Sequence, residues 1–247
     1  MRAPSRDPTP PWFKPVQDRL SPTITALVVT NALLFALYAV VKQSRPFVEG
    51  HLAMGPNVLQ GRPVPEVWQV VTSLFVHLEP WSFFFNVLGL WFVGATIERQ
   101  LGRTRFLTLF LVPAVLGNLV MAGLMLLKGM WSLFAGSGLA VLALFVAFGR
   151  LYDRTPARIL GGLVLEARTL VLILVAFALL SDVLRGSMVA LVGDIVALVT
   201  GYVLSGGRGA GLRELFTRFG RRSKRRFSVV DGGRPGSKEE RRSRYLN

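Results

Sequence analysis

Six apolar runs of near-bilayer length dominate this chain, at about 22–42, 80–97, 106–127, 134–152, 168–185 and 187–205. A helix needs roughly 20 apolar residues to cross the hydrocarbon core. A backbone in lipid has to satisfy its own polar groups, so only helices and closed barrels span a membrane. Barrel strands alternate apolar and polar residues, and these runs do not. The fold class that follows is all-α: a polytopic membrane bundle of six transmembrane helices. A mean hydropathy of +0.47 agrees with it.

The charge balance then reads as orientation. The chain carries 29 Lys and Arg against 14 Asp and Glu, a net charge of +15. With both termini cytoplasmic, segments 1–21, 98–105, 150–168 and 206–247 hold 24 of the 29 basic residues. This is the positive-inside asymmetry, and it leaves no excess to assign to a nucleic-acid partner. The expected location is a bacterial inner membrane with the N- and C-termini in the cytoplasm. Three parts follow: a cytoplasmic N-terminal segment 1–21, a membrane domain 22–205, and a basic cytoplasmic tail 206–247. The start is rich in proline and charge, and the first run is long enough to remain as an anchor, so a cleavable signal is not expected. In the tail, Leu212, Leu215, Phe216 and Phe219 share one face of a short helix. Such a helix lies in the interface with its cations near anionic lipids. There are no cysteines, hence no disulfides. Nothing resembles a metal cluster or a phosphate loop, so no metal and no cofactor are expected. No feature sets an oligomeric state.

Punctuation between the runs is informative. Gln43 to Glu66 is a proline- and glycine-rich outer loop, expected to turn repeatedly. Val67 to Val76 is apolar but too short to span, so it reads as interfacial or re-entrant. Pro80 suits a first helical turn, where its missing N–H has no partner to lose. Gly102 suits a C-terminal cap. Arg185-Gly186-Ser187 is so short that the last two spans are antiparallel neighbours.

Two polar side chains interrupt the second half of the chain. Asp194 sits inside the last run, and a carboxylate there marks by default a functional site facing other helices. Ser137 heads the fourth run, within Ala135-Gly136-Ser137-Gly138. Gly193, Ala197 and Gly201 recur every four residues, a smooth stripe of the kind that lets helix backbones approach closely. The fourth run offers a matching face of Gly136, Ala140, Ala143 and Ala147. If the two faces pack, serine and carboxylate could meet inside the bundle. The bland alternative is that both stripes serve packing only.

These residues resemble the rhomboid family of intramembrane serine proteases. His77, Ser82 and Asn86 have the spacing of the family's His-His-Asn set at the start of the second helix. Gly94-xxx-Glu98-xxx-Gly102 is similar to the signature ending that helix. Ala135-Gly136-Ser137-Gly138 looks like the Gly-x-Ser-Gly motif of the nucleophile. Gly193-Asp194-xx-Ala197-xxx-Gly201 matches the sixth-helix pattern, except that the family's histidine is Asp194. Ser82 likewise stands for a histidine, and Ala135 and Ala197 for glycines. The resemblance covers about residues 22–205. It implies Ser137 as the nucleophile, Asp194 at the position of the base, and His77, Ser82, Asn86 and the Gly136 backbone on the oxyanion and substrate side.

The substitution at the base position bears on the chemistry. Neutral imidazole has a reference pKa of about 6.5 and aspartate about 3.9. An ionised aspartate is the weaker base, and it cannot become the cationic acid that protonates a leaving amine. Loss of one member of a triad acting as a unit costs around 10⁴ to 10⁶ in turnover. His77 would have to come within about 3 Å of the serine hydroxyl to replace the base, and the resemblance places it on the oxyanion side instead. His51 has no motif around it. The leading expectation is a rhomboid-like pseudoprotease that binds the transmembrane helices of client proteins. The alternative is an active or weakly active protease using Ser137. A third reading, a transporter with Asp194 as its proton site, is opposed by the absence of an internal repeat.

Overall fold

The computed structural model describes residues 21–60, 64–129, 132–152, 156–158 and 164–206. The tail helix expected over Leu212–Phe219, the rest of the basic tail and residues 1–20 lie outside the described residues.

The architecture is the expected all-α membrane bundle. Its spans are α1 (Pro22–Val40), α2 (Pro80–Leu101), α3 (Arg103–Lys128), α4 (Gly138–Leu151), α5 (Ala167–Leu184) and α6 (Met188–Ser205). Five are long and apolar enough to cross a membrane. The sixth, α4, has 14 residues and sits at the centre, with Ala140, Ala143, Leu144 and Ala147 fully buried. Residues such as Leu33, Leu127, Phe177 and Leu184 point outward, as the sides of a bundle in lipid require. The protein is an integral membrane protein. A short antiparallel pair, β1 (Pro156–Arg158) and β2 (Val164–Glu166), joins α4 to α5.

Local signals explain the boundaries. Ser21 caps α1 by accepting the Ile24 N–H at 3.1 Å. Pro80 begins α2. That span contains one π-helical turn, Leu90–Gly94. Gly102 ends α2 with φ +83°, a conformation open to glycine. The fourth span departs from expectation at its start. Its helix begins at Gly138 rather than near residue 134, because Phe134 is extended and exchanges both backbone bonds with Met54, each 2.8 Å. The outer loop is thereby paired with the approach to Ser137.

Each residue of the Gly94-xxx-Glu98-xxx-Gly102 set has a distinct physical task. A Cβ on Gly94 would press on Ile24 of α1 and Phe106 of α3, at 3.2 and 3.3 Å. Glu98 accepts a hydrogen bond from the Ser21 hydroxyl, tying the start of α1 to the end of α2. Gly102 then turns the chain into α3.

The last helix is wedged between two neighbours. A Cβ on Gly201 would lie 2.8 Å from Ala143 Cα on α4, so the backbones touch there. Gly193 faces α3 instead: its Cβ would lie 2.3 Å from Met121 Sδ. Ala197, between them, is fully buried. The stripe therefore serves two interfaces.

Candidate functional site

The Val67–Val76 stretch folds as two short turns, Gln69–Thr72 and Ser73–Phe75, and leads directly to His77. It is pinned from below. Asn118 of α3 donates to the Val70 carbonyl at 2.8 Å and to Ser73 Oγ at 3.0 Å. It is pinned from above by Gln69, which donates to the Gly50 carbonyl at 2.7 Å and accepts the Gly55 N–H at 3.1 Å. The Ser73 carbonyl accepts the Gly136 N–H at 2.9 Å. This bond sets the turn before Ser137.

That turn requires glycine. Gly136 has φ +119°, where a side chain would be strained. A Cβ would also lie 3.3 Å from Ser82 Oγ and 3.5 Å from Asn86 Nδ2. The absent side chain is what lets the serine turn and the first turns of α2 come together. Ser137 follows as the N-cap of α4, with its side chain making no capping bond.

The result is one buried polar cluster. Asn86 Nδ2 donates to Ser82 Oγ at 3.2 Å and lies 3.4 Å from His77 Nε2. The backbone N–H of Ser137 also points to His77 Nε2, at 3.4 Å. A ring nitrogen receiving a backbone N–H is the unprotonated one, so the proton resides on Nδ1. Burial holds the His77 imidazole down at about 4, opposed in part by the Phe75 backbone carbonyl. The ring is therefore neutral across the physiological range. His77 is 0% exposed and Ser137 is 1% exposed.

Ser137 Oγ is buried and has no hydrogen-bond partner among the described residues. Neither His77 nor Asp194 bonds it. Asp194 meets a different partner: its carboxyl is a hydrogen-bonding neighbour of the Asp182 carboxyl near the end of α5. His51 lies apart from the cluster, paired with Glu66 at 2.7 Å in the outer loop.

The structure thus brings His77, Ser82, Asn86, Gly136 and Ser137 into one place, with Ala140 one turn below. It sets Asp194 against α5 rather than in hydrogen-bond contact with the serine. Sequence reasoning missed Asp182, Asn118 and Ser73. Asp182 and Asn118 are polar residues inside spans, so the rule that picked out Asp194 covers them too. Ser82 and Asn86 place polar groups beside the Gly136–Ser137 turn, and among the described residues no base engages the Ser137 hydroxyl. Among the described residues, no group of His, Asp and Glu could hold a metal ion.

Comparison with known proteins points to one family. The family model for the rhomboid domain matches residues 64–209. The rhomboid protease GlpG of Enterobacter sp. (strain 638) is 27% identical over 110 residues, 44% of this chain and 38% of the relative. The GlpG homolog of Cronobacter sakazakii is 29% identical over 140 residues, 57% of this chain and 48% of the relative. The rhomboid protease GluP of Bacillus subtilis is 28% identical over 102 residues, 40% of this chain and 19% of the relative. The chain spans less than half the length of these curated relatives. With a family model matched over more than half of its residues, this chain belongs to the rhomboid family.

Proposed function

We propose that this chain is a non-hydrolytic rhomboid that binds the transmembrane helices of client proteins. The observation that carries the reading is the Ser137 hydroxyl, buried and unpartnered. A serine nucleophile needs a base within hydrogen-bond reach. The position at which the family carries its histidine holds Asp194, and that carboxyl faces Asp182. The neutral His77 ring already receives the Ser137 N–H through Nε2, on the oxyanion side of the serine. With the unit incomplete, turnover falls by around 10⁴ to 10⁶ relative to a complete triad. The bundle and the polar cluster nevertheless remain, and they are what a client helix would meet. The bacterial relatives and the basic segments support a bacterial inner membrane with cytoplasmic termini. The tail from 206 onward would then attract anionic lipid headgroups.

The second reading is an intramembrane serine protease of low activity. It is favoured by Asn86 and Ser82, whose polar groups lie beside the Gly136–Ser137 turn as candidate donors to an oxyanion. Such donors are each worth on the order of 3 kcal/mol to an oxyanion. Incubation of the purified protein with a model transmembrane substrate separates the two. The proposal expects binding without cleavage, seen as photocrosslinking of an intact substrate helix. Cleavage abolished by Ser137→Ala would establish the second reading.

A further inference from the structure

Two consecutive residues in the middle of α3 touch three of the segments that carry the site. Gly117 brings in α4 and α6. A Cβ there would lie 2.9 Å from Leu139 Cδ1, two residues after Ser137, and 3.1 Å from the carbonyl oxygen of Gly193, which precedes Asp194. Asn118 brings in the third segment. Its amide donates to the Val70 carbonyl at 2.8 Å and to Ser73 Oγ at 3.0 Å. Ser73 stands four residues before His77, and its carbonyl holds the Gly136 N–H at 2.9 Å. Asn118 is buried, at 6% exposed. An amide in a membrane span is costly unless it is paired, and both of its protons are placed on one short segment.

We propose that Asn118 is a positioning residue that sets the depth and register of the His77 segment against the Ser137 turn. The chain of contacts is short. Asn118 fixes the end of the Gln69–Thr72 turn. The Ser73 carbonyl then aims at Gly136, and four residues later His77 Nε2 meets the Ser137 N–H. Without the amide, no side chain of α3 holds the segment by a hydrogen bond, and its remaining ties are the Gly136 N–H on the Ser73 carbonyl, Thr72 on the Leu52 carbonyl at 2.8 Å and Gln69 at its outer end. It would slide outward along α3, and the imidazole would leave the Ser137 turn for a wetter place. The inference concerns geometry alone. It holds whether Ser137 is inert or reactive, so it stands apart from the proposed function.

The test uses the whole chain in detergent micelles with ring-labelled histidine. The sequence has two histidines, so two imidazole resonances are expected, and His77→Gln assigns them. In the wild type burial holds the His77 imidazole down at about 4. Asn118→Leu keeps the size and removes both donors. The expected result is a rise in the His77 midpoint by about one pH unit or more, toward the ordinary value of about 6.5. Asn118→Ser, with one short donor, gives an intermediate midpoint. The proposal is overturned if a folded Asn118→Leu protein loses thermal stability while the His77 midpoint stays where it was. Should that variant fail to insert, Asn118→Ser and Ser73→Ala carry the same test, and an unmoved His77 in both overturns the proposal equally.

Discussion

His77 Nε2 receives the backbone N–H of Ser137 at 3.4 Å. In a serine hydrolase that N–H is a natural donor to the developing oxyanion, and here the imidazole occupies it. The contact also fixes the ring's tautomer. Its protonated Nδ1 is buried and turned toward the Phe75 backbone carbonyl. The arrangement is a packed polar joint between α2 and α4, with the serine hydroxyl left outside it.

The joint makes stability depend on acidity in a defined direction. His77 is held at about 4 when folded, against about 6.5 for a free imidazole. Between those values the unfolded chain binds more protons than the native one, so stability rises with pH there. It is complete above about 6.5 and falls as pH drops toward 4, by about 3 kcal/mol for a shift of this size. Thermal unfolding in detergent should follow that slope, and His77→Gln should remove it. A variant with the wild-type slope would assign the dependence to other groups.

The two glycines of α6 should respond to alanine in opposite order to their closest contacts. A Cβ on Gly193 would meet Met121 Sδ at 2.3 Å, and one on Gly201 would meet Ala143 Cα at 2.8 Å. Methionine is flexible and can withdraw, whereas the α4 backbone cannot. Gly201→Ala should therefore cost more, about 1–3 kcal/mol as overpacking does, and Gly193→Ala less. Thermal midpoints of the two variants decide it.

The start of α1 depends on a partner far away in the chain. The Ser21 hydroxyl donates to Glu98 at the end of α2 and accepts the Ile24 N–H. Ser21→Ala removes both bonds and should cost about 1–2 kcal/mol. Glu98→Gln keeps an acceptor and should cost less than Glu98→Ala. Protease sensitivity near residue 21 would show α1 loosening first. Equal stability of Glu98→Gln and Glu98→Ala would contradict the assigned bond.

Much of this was legible before any coordinates. Run length gave the six spans, and Pro80 and Gly102 marked the ends of α2 because their backbone preferences are local. What escaped was long-range. The π-helical turn Leu90–Gly94 leaves no periodicity to read. Phe134 looks apolar and helical, yet its pairing with Met54 holds it extended. His77, Ser82, Asn86 and Ser137 were readable as a set because their spacing resembles a known family. Asp182 and Asn118 belong to no motif, and their partners lie in other segments. Only their polarity inside apolar runs marked them.

The account turns on whether Ser137 is activated. Treating the purified wild-type protein with a fluorophosphonate probe, and mapping the label by mass spectrometry, asks this directly. The unpartnered hydroxyl and the Asp194–Asp182 contact lead to no labelling at Ser137 above the Ser137→Ala background. Stoichiometric labelling of Ser137 in the wild-type chain would contradict the account.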